Sequence, residues 1–418
     1  MTTDVRDDAV REALGSACDE VRDPGPRDRV DGVEPGLVAR PTSTEQVAEV
    51  MRAAAAHGLS VVPRGRGTKL SWGTPPRSAD VLLDLGAMDR VLDHAAGDLI
   101  VAAQAGTPLQ EVQRVAAGGD QRLTLDETVP GGTVGGVLAT NASGARRTGF
   151  GTARDLLIGI TMVRADGVVA KAGGRVVKNV AGYDIGKLLI GSAGTLGVIV
   201  DATFRLHPVP PSSRWVSAPV SDPRHALELA QTAVHSQVVP AAVEIGWDGD
   251  AGQVSVLLEG RADGVSARVD RLRELLGAGA TDDARPPAGG AAYPWDVTAS
   301  GDDRSTALKL AFCLSGLADV LAAASAAGAS VRGSAGSGVL YAALPASKAL
   351  DATSSAVTTL REACLRHGGS AVVVDAAAAV KQAVDMWGPV PALDLMRRVK
   401  DQFDPDHRLA PGRFVGGI

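Results

Sequence analysis

Seven glycines fall between Thr128 and Asp155, in the stretch TVPGGTVGGVLATNASGARRTGFGTARD. Residues without a Cβ leave the backbone bare and free to turn left-handed, so this stretch suits loops that come close to another body better than a long regular element. A second such stretch, LSVVPRGRGTKLSWG, runs from a β-rich segment at Leu59 into Pro63, then alternates arginine with glycine ahead of Thr68 and Lys69. Successive N–H groups at Gly65 and Gly67 can aim into one concavity and hold a diphosphate. The same residues also suit a tight surface turn flanked by solvated charge. Both clusters are bounded by threonines able to hydrogen-bond an anion, which together suggests a long ligand with a diphosphate, held by loops instead of a helix end. Two familiar nucleotide fingerprints fail: from Gly65 the chain reads GRGTKL, without the last glycine of G-x-G-x-x-G, and no G-x-x-x-x-G-K-[ST] occurs.

The 418 residues are 45% hydrophobic, 22% charged and only 3% aromatic, enough for two or three domains with their own cores. A formal charge of −6 and few aromatics argue against a nucleic-acid surface. The opening MTTDVRDDAVREAL has no apolar h-region, which predicts a cytoplasmic protein without a secretory signal. The 18-residue uncharged run Thr128 to Ala145 is too rich in Gly, Thr, Asn and Ser for a membrane helix, and Leu188 to Val200 is too short. Cys18, Cys313 and Cys364 lie far apart, so no disulfide framework or iron-sulfur cluster is encoded, and all three read as buried thiols.

After a mobile, charged start, RPTSTEQVAEVMRAAAAHG reads as a helix, with Thr42 and Glu45 or Ser43 and Gln46 as a capping box, Val47, Val50, Met51 and Ala54 as the apolar face, and Gly58 as the stop. Strands follow at Leu59 to Val62, ADVLLDL and LIVAAQAG. TPLQEVQRVAAGG is a short helix capped by Thr107, and RADG a hairpin turn. The double proline at Pro210 and Pro211 closes the first region, about residues 1–210. In the second, about 211–385, the strands AAVEIGW, GQVSVLLEG, TALKLAFCLS, SGVLYAALP and GSAVVVDA alternate with helices, which suggests an antiparallel sheet with helices on one face. The insert TDDARPPAGGAAYPW reads as a mobile loop. Residues 386–418 form a short helix and an irregular tail that returns to the first domain. The expected class is α+β.

Three segments in order, PRGRGT, PGGTVGGVLATNASGARRTGFGTARDLLIG and KNVAGYDIGKLLIGSAGTLGVI, resemble the FAD-binding segments of the vanillyl-alcohol oxidase type (PCMH-type) superfamily, over roughly residues 36–210. Within it the succession of GARR, GG and KNVAGYD is most similar to the FAD-binding E subunits of bacterial glycolate oxidases, and FDPDHRLAPGR is similar to their closing motif. The resemblance implies a two-subdomain FAD-binding domain followed by an antiparallel cap. Pro63, Arg64, Gly65, Arg66, Gly67 and Thr68 would wrap the FAD diphosphate. Pro130, Gly131, Gly132, Thr133, Gly135 and Gly136, then Asn141, Ser143 and Gly144, would run beneath the isoalloxazine and ribityl chain. Gly194, Gly197, Val198 and Ile199 would lie by the diphosphate or adenosine. RGRGTKL holds no histidine or cysteine, so the FAD is expected to be non-covalent.

The resemblance further implies hydride transfer from a small 2-hydroxy acid to flavin, beside a homologous catalytic flavoprotein subunit and an iron-sulfur subunit, in the cytoplasm and, through those partners, at the inner face of the membrane. Related dehydrogenases carry HxGDGNxH, which binds a divalent metal. The corresponding RGSAGSGVLYAAL has Gly333, Gly336 and Tyr341 but no histidine or acid, and the seven histidines are too scattered to chelate. No metal site and no general base are therefore assigned, which favours an electron-relay role; a stand-alone oxidase of another hydroxylated substrate is the remaining alternative. Lys309 and Arg332 are the candidates for a substrate carboxylate, set against the plainer reading of strand charges facing solvent. Arg146 and Arg147 follow the flavin loop and suit either phosphate or a partner subunit.

Overall fold

In the computed structural model, which describes residues 7–175, 183–290 and 292–418, the helix Thr44–His57 starts and stops on its own side chains. The Ser43 hydroxyl accepts from the Gln46 N–H (3.3 Å), Gln46 Oε1 accepts from the Thr42 N–H (2.8 Å), and Gly58 ends the helix at φ 68°. Val47, Val50, Met51 and Ala54 are buried, the stripe a surface helix turns to its core. The charged N-terminal stretch differs from expectation. Asp7 caps a helix, Asp8–Ala17, whose Val10 and Leu14 are buried in the same core, because two apolar residues one turn apart anchor a helix even in a charged sequence.

Four strands, β1 (Val21–Arg22), β2 (Leu37–Ala39), β3 (Val61–Arg64) and β4 (Val81–Asp84), form the first sheet in the order β1-β2-β4-β3. β3 lies at its edge, where Pro63 leaves no ladder bond unmade. Next come β5 (Val91–Ala95), β6 (Ile100–Gln104), β7 (Gln121–Arg122), β8 (Leu157–Val163), β9 (Val169–Gly173), β10 (Val198–Arg205) and β11 (His207–Pro208). β7 and β11 pair alone; the rest form a sheet ordered β5-β6-β10-β8-β9. Gly167 closes the β8–β9 turn, its N–H bonding to Arg164 O (3.0 Å). The Leu109–Ala117 helix is not capped by Thr107, whose hydroxyl donates to Arg90 O (3.1 Å); Pro108 takes the cap position.

The cap sheet holds eight strands: β12 (Ser212–Val220), β13 (Ala242–Trp247), β14 (Gly252–Gly260), β15 (Thr281–Asp283), β16 (Thr306–Ala311), β17 (Ser330–Ser334), β18 (Val339–Leu344) and β19 (Ser370–Asp375). Their order is β15-β12-β14-β13-β17-β18-β16-β19, and every pairing is antiparallel. The fold is α+β. Neither β12 nor the helix Pro223–His235, capped by Asp222, is anticipated from sequence. Side chains alternate across each strand. Val243, Ile245, Leu308, Leu310, Val331, Leu340, Ala342, Ala371 and Val373 pack with the helices in one core. Glu244, Lys309, Arg332 and Tyr341 therefore fall on the opposite face.

Two sequence expectations change here. The glycine- and proline-rich insert is pinned, since Tyr293 stacks on Trp295 (4.5 Å between centroids) and meets Tyr341 (4.6 Å) and Trp72 (5.6 Å) edge-on. Cys313 is exposed, while Cys18 and Cys364 are buried. No described helix is long and apolar enough to cross a membrane.

The tail helix Leu393–Phe403 is fastened by the wholly buried Lys400, which donates to Asp404 Oδ2 (2.6 Å), Thr195 O (2.8 Å) and Leu409 O (3.0 Å). Asp404 also accepts from the N–H groups of Arg408 (3.1 Å) and Leu409 (2.7 Å). Removing the cation leaves a buried carboxylate uncompensated, so Lys400→Met should lower the unfolding free energy by about 3–5 kcal/mol in urea titrations. A loss below about 1 kcal/mol would mean that the tail is held some other way.

Candidate functional site

A cavity of about 330 Å³, within the usual range of small-molecule sites, lies where the first domain, the cap and the tail meet. One part of its wall is the end of β3 and the loop that follows, Pro63 to Lys69. A second is Thr133, Gly136, Ala139, Thr140 and Asn141, and a third Gly191 and Ala193. The cap and tail add Lys309, Tyr341, Val372 to Val374, Trp387, Arg413 and Phe414. The glycines let these segments meet. Gly65 lies so close to Thr133 that a Cβ would overlap the threonine hydroxyl. Thr133 caps the helix Val134–Thr140 by accepting from the Gly136 N–H, and that helix ends on left-handed Asn141. The third segment bonds to the same helix, Gly191 N–H to Leu138 O (2.9 Å) and Ala193 N–H to Ala139 O (2.8 Å). Ala193 holds φ 53° between two left-handed glycines, Gly191 and Gly194, a backbone cost of roughly 1–2 kcal/mol that this packing must offset.

Of the residues singled out from sequence, Pro63, Arg64, Gly65, Arg66, Gly67, Thr68, Thr133, Gly136, Asn141 and Lys309 line this cavity. Pro130, Gly131, Gly132 and Gly135 stand behind it; a Cβ on Gly135 would meet that of Ala105, so this glycine seats the helix start against the end of β6. Gly194 backs onto Pro63, Gly197 packs on Met162, and Val198 and Ile199 are buried in β10, so none of the four reaches the wall. Ser143, Gly144 and Arg332 border a smaller chamber with Arg147, Glu244, Tyr293 and Tyr341. Lys178 to Gly182 of the KNVAGYD string lie outside the described residues. Sequence reasoning missed Lys69, Trp72, Gly191, Ala193, Tyr341's place on the wall, Trp387 and Arg413. Lys69 sits within the quoted RGRGTKL, and strand alternation at Lys309 would have pointed to Tyr341, its register partner on β18.

The charges divide into spent and free. Arg64 is committed to Asp28 (2.7 Å) and Asp84 (2.6 Å), and Arg146 to Asp126 (2.5 Å) and Glu259 (3.3 Å), so the charge of each is already balanced. Lys69, Lys309, Arg147 and Arg332 form no ion pair among the described residues. Burial lowers the Lys69 ammonium to about 8 against the pull of Glu127. Lys309 is likewise lowered to about 8 by burial, with the Arg147 charge adding to it. Arg413 is pushed down to about 10 by burial despite Asp31 and Asp375.

FAD fits this wall. A bare cradle of Gly65, Gly67, Gly136 and Gly191 shares the wall with apolar side chains, and among the described residues Arg64, Asn141, Trp387 and Arg413 each keep a buried polar atom without a partner. Lys69 would meet negative charge, and the glycine loops would hold the diphosphate. No histidine or cysteine lines the cavity. Acid precipitation should therefore release all flavin into the supernatant; colour retained in the pellet would establish a covalent bond. Gly65→Ala should weaken FAD binding roughly tenfold or more by forcing Thr133 aside, an overpacking cost of about 1–3 kcal/mol read by flavin fluorescence. Unchanged affinity would place the cofactor elsewhere.

Comparison with known proteins agrees. Residues 35–173 match the FAD binding domain family and residues 387–414 the C-terminal domain of FAD linked oxidases. An FAD-linked oxidoreductase of Mycobacterium tuberculosis is 28% identical over 92% of this chain and 91% of its own length. Glycolate oxidase subunit GlcD of Bacillus subtilis is 29% identical over 50% of this chain and 45% of that protein, and D-2-hydroxyglutarate dehydrogenase of Xanthomonas citri 38% identical over 43% and 38%. The chain thus spans less than half the length of these last two. Among solved structures, 4-ethylphenol oxidase from Gulosibacter chungangensis superposes with a TM-score of 0.71 at 15% identity, over 97% of this chain and 96% of that one, a likeness of fold. The cofactor is FAD, and the fold is that of the PCMH-type FAD-binding proteins.

Proposed function

We propose that this chain oxidises a small 2-hydroxy acid, glycolate or a close relative, to the 2-oxo acid, as the FAD-binding subunit of a glycolate oxidase-like complex. A homologous flavoprotein subunit and an iron-sulfur subunit would receive the electrons. Relatives named as glycolate oxidase subunit, D-lactate dehydrogenase and D-2-hydroxyglutarate dehydrogenase support the substrate class. The observation that carries the reading is Lys309, an ammonium without a carboxylate partner on the cavity wall, in register with Tyr341. An unpaired buried cation is costly, and an anionic substrate would compensate it.

FAD, when bound, supplies the hydride acceptor. Lys309 pairs with the substrate carboxylate and thereby sets the α-carbon, Tyr341 stands by the hydroxyl, and Trp387, Phe414 and Val372 to Val374 keep water out. The absence of histidines in RGSAGSGVLY pointed toward electron relay alone; the placement of Lys309 and Tyr341 favours chemistry in this chain.

Anaerobic mixing of the FAD-loaded protein with glycolate, D-lactate or D-2-hydroxyglutarate should bleach the flavin with at least one acid and without added metal. No bleaching by any of them would favour the electron-relay role. Lys309→Ala should raise KM about 10- to 100-fold at pH 7, the worth of a hydrogen bond to a charged group, with kcat little changed. Because Lys309 carries its charge below about 8 and loses it above, the parent's KM should rise as pH passes that value, and Lys309→Arg should abolish the rise.

A further inference from the structure

Where RGSAGSGVLY lacks an acid of its own, the cap sheet sets one beside it from another strand. Glu244 on β13 stands in register with Ser334 on β17, and both border the small chamber whose wall includes Tyr341. Tyr341 also belongs to the wall of the large cavity, so this residue borders both spaces. Glu244 Oε1 is shielded from solvent and has no hydrogen-bond partner among the described residues. Leaving such an oxygen unsatisfied is expensive. The chamber, about 20 Å³, has room for about one water, with hydroxyl and guanidinium groups to orient it.

The charged and titratable groups facing Glu244 come from several elements. Arg147 and Arg332 bring positive charge without ion-pair partners, Asp126 brings negative charge from the loop before the glycine cluster, and Tyr341 and Tyr293 bring phenols. Burial, with Asp126 behind it, raises the Glu244 carboxyl to about 8 against the Ser334 hydroxyl and the Arg147 charge, while burial holds both phenols, which pair with each other, protonated. A proton acceptor poised near neutrality is what oxidation of a hydroxyl needs.

We propose that Tyr341 and Glu244 together remove the hydroxyl proton of the substrate, Tyr341 as the catalytic residue touching it and Glu244 as the positioning acceptor behind. The substrate O–H bond breaks and its electron pair becomes the second C–O bond of the 2-oxo acid. That proton goes to the Tyr341 oxygen as the Tyr341 proton passes through one water to the Glu244 carboxylate. The α-C–H electron pair leaves as hydride to FAD, the oxidant. This rests on the 2-hydroxy acid reading above.

The test is the rate of anaerobic flavin reduction from pH 6 to 9.5, in the FAD-loaded parent, Glu244→Gln, Glu244→Asp and Tyr341→Phe, together with the infrared carboxyl band over the same range. The parent's rate should climb with pH and level near 8. Glu244→Gln and Tyr341→Phe should be about 10²- to 10⁴-fold slower. Glu244→Gln should also lose the climb, and Glu244→Asp should recover part of it. A protonated-carboxyl band should vanish as the parent passes about pH 8 and be missing throughout in Glu244→Gln. If Glu244→Gln keeps the parent's rate and pH profile, or no carboxyl titrates above pH 7, the relay is wrong while the activity stands. If no 2-hydroxy acid reduces the parent's flavin, the activity falls and the relay with it.

Discussion

Lys381 ties the cap to the first domain at the cavity's edge. Its ammonium, 1% exposed, lies between Asp31 (2.7 Å) and Asp375 (3.2 Å) and donates to the carbonyls of Ser71 and Gly73. Arg304 adds a second cation to Asp31 (3.2 Å), so the buried charges nearly balance. Asp31 comes from the N-terminal domain, Lys381 and Asp375 from the cap, and the carbonyls from the chain just beyond the RGRGTK loop. A cluster of this kind contributes little net stability over an apolar one, but it is intolerant of losing a member. It therefore fixes where the cap sits more firmly than how stable the protein is. The walls at Trp72 and at Val372 to Val374 keep their distance because of it.

Once the cap is placed, strand alternation does the rest. The face of the cap sheet that packs on helices is almost wholly aliphatic, while the face toward the first domain collects Glu244, Lys309, Arg332 and Tyr341. Water is largely excluded there, so burial draws both the Glu244 carboxyl and the Lys309 ammonium to about 8. Such groups respond strongly to an anionic ligand or to a moving proton, because neither is screened. The aromatic residues serve the same enclosure. This chain is poor in them, yet Trp72, Tyr293, Trp295 and Tyr341 from three segments form one cluster, two of whose members border the small chamber.

The sequence by itself determined those features that depend on neighbours along the chain. Ser43, Gln46 and Gly58 bound a helix, Pro63 confines its strand to an edge, and the glycine clusters mark where backbone lies bare. It also carried the FAD reading, since three ordered segments are a long-range pattern still visible in one dimension. Only the tertiary structure decided which glycines line the cavity and which, like Gly135 and Gly197, make room for Ala105 and Met162. A missing Cβ looks the same in both cases. Tertiary packing also spent Arg64 and Arg146 on buried carboxylates, left Lys69 and Lys309 free, and brought Glu244 to a motif that has no acid of its own. Register and ion pairing between segments far apart set those outcomes, and a linear pattern holds no record of them.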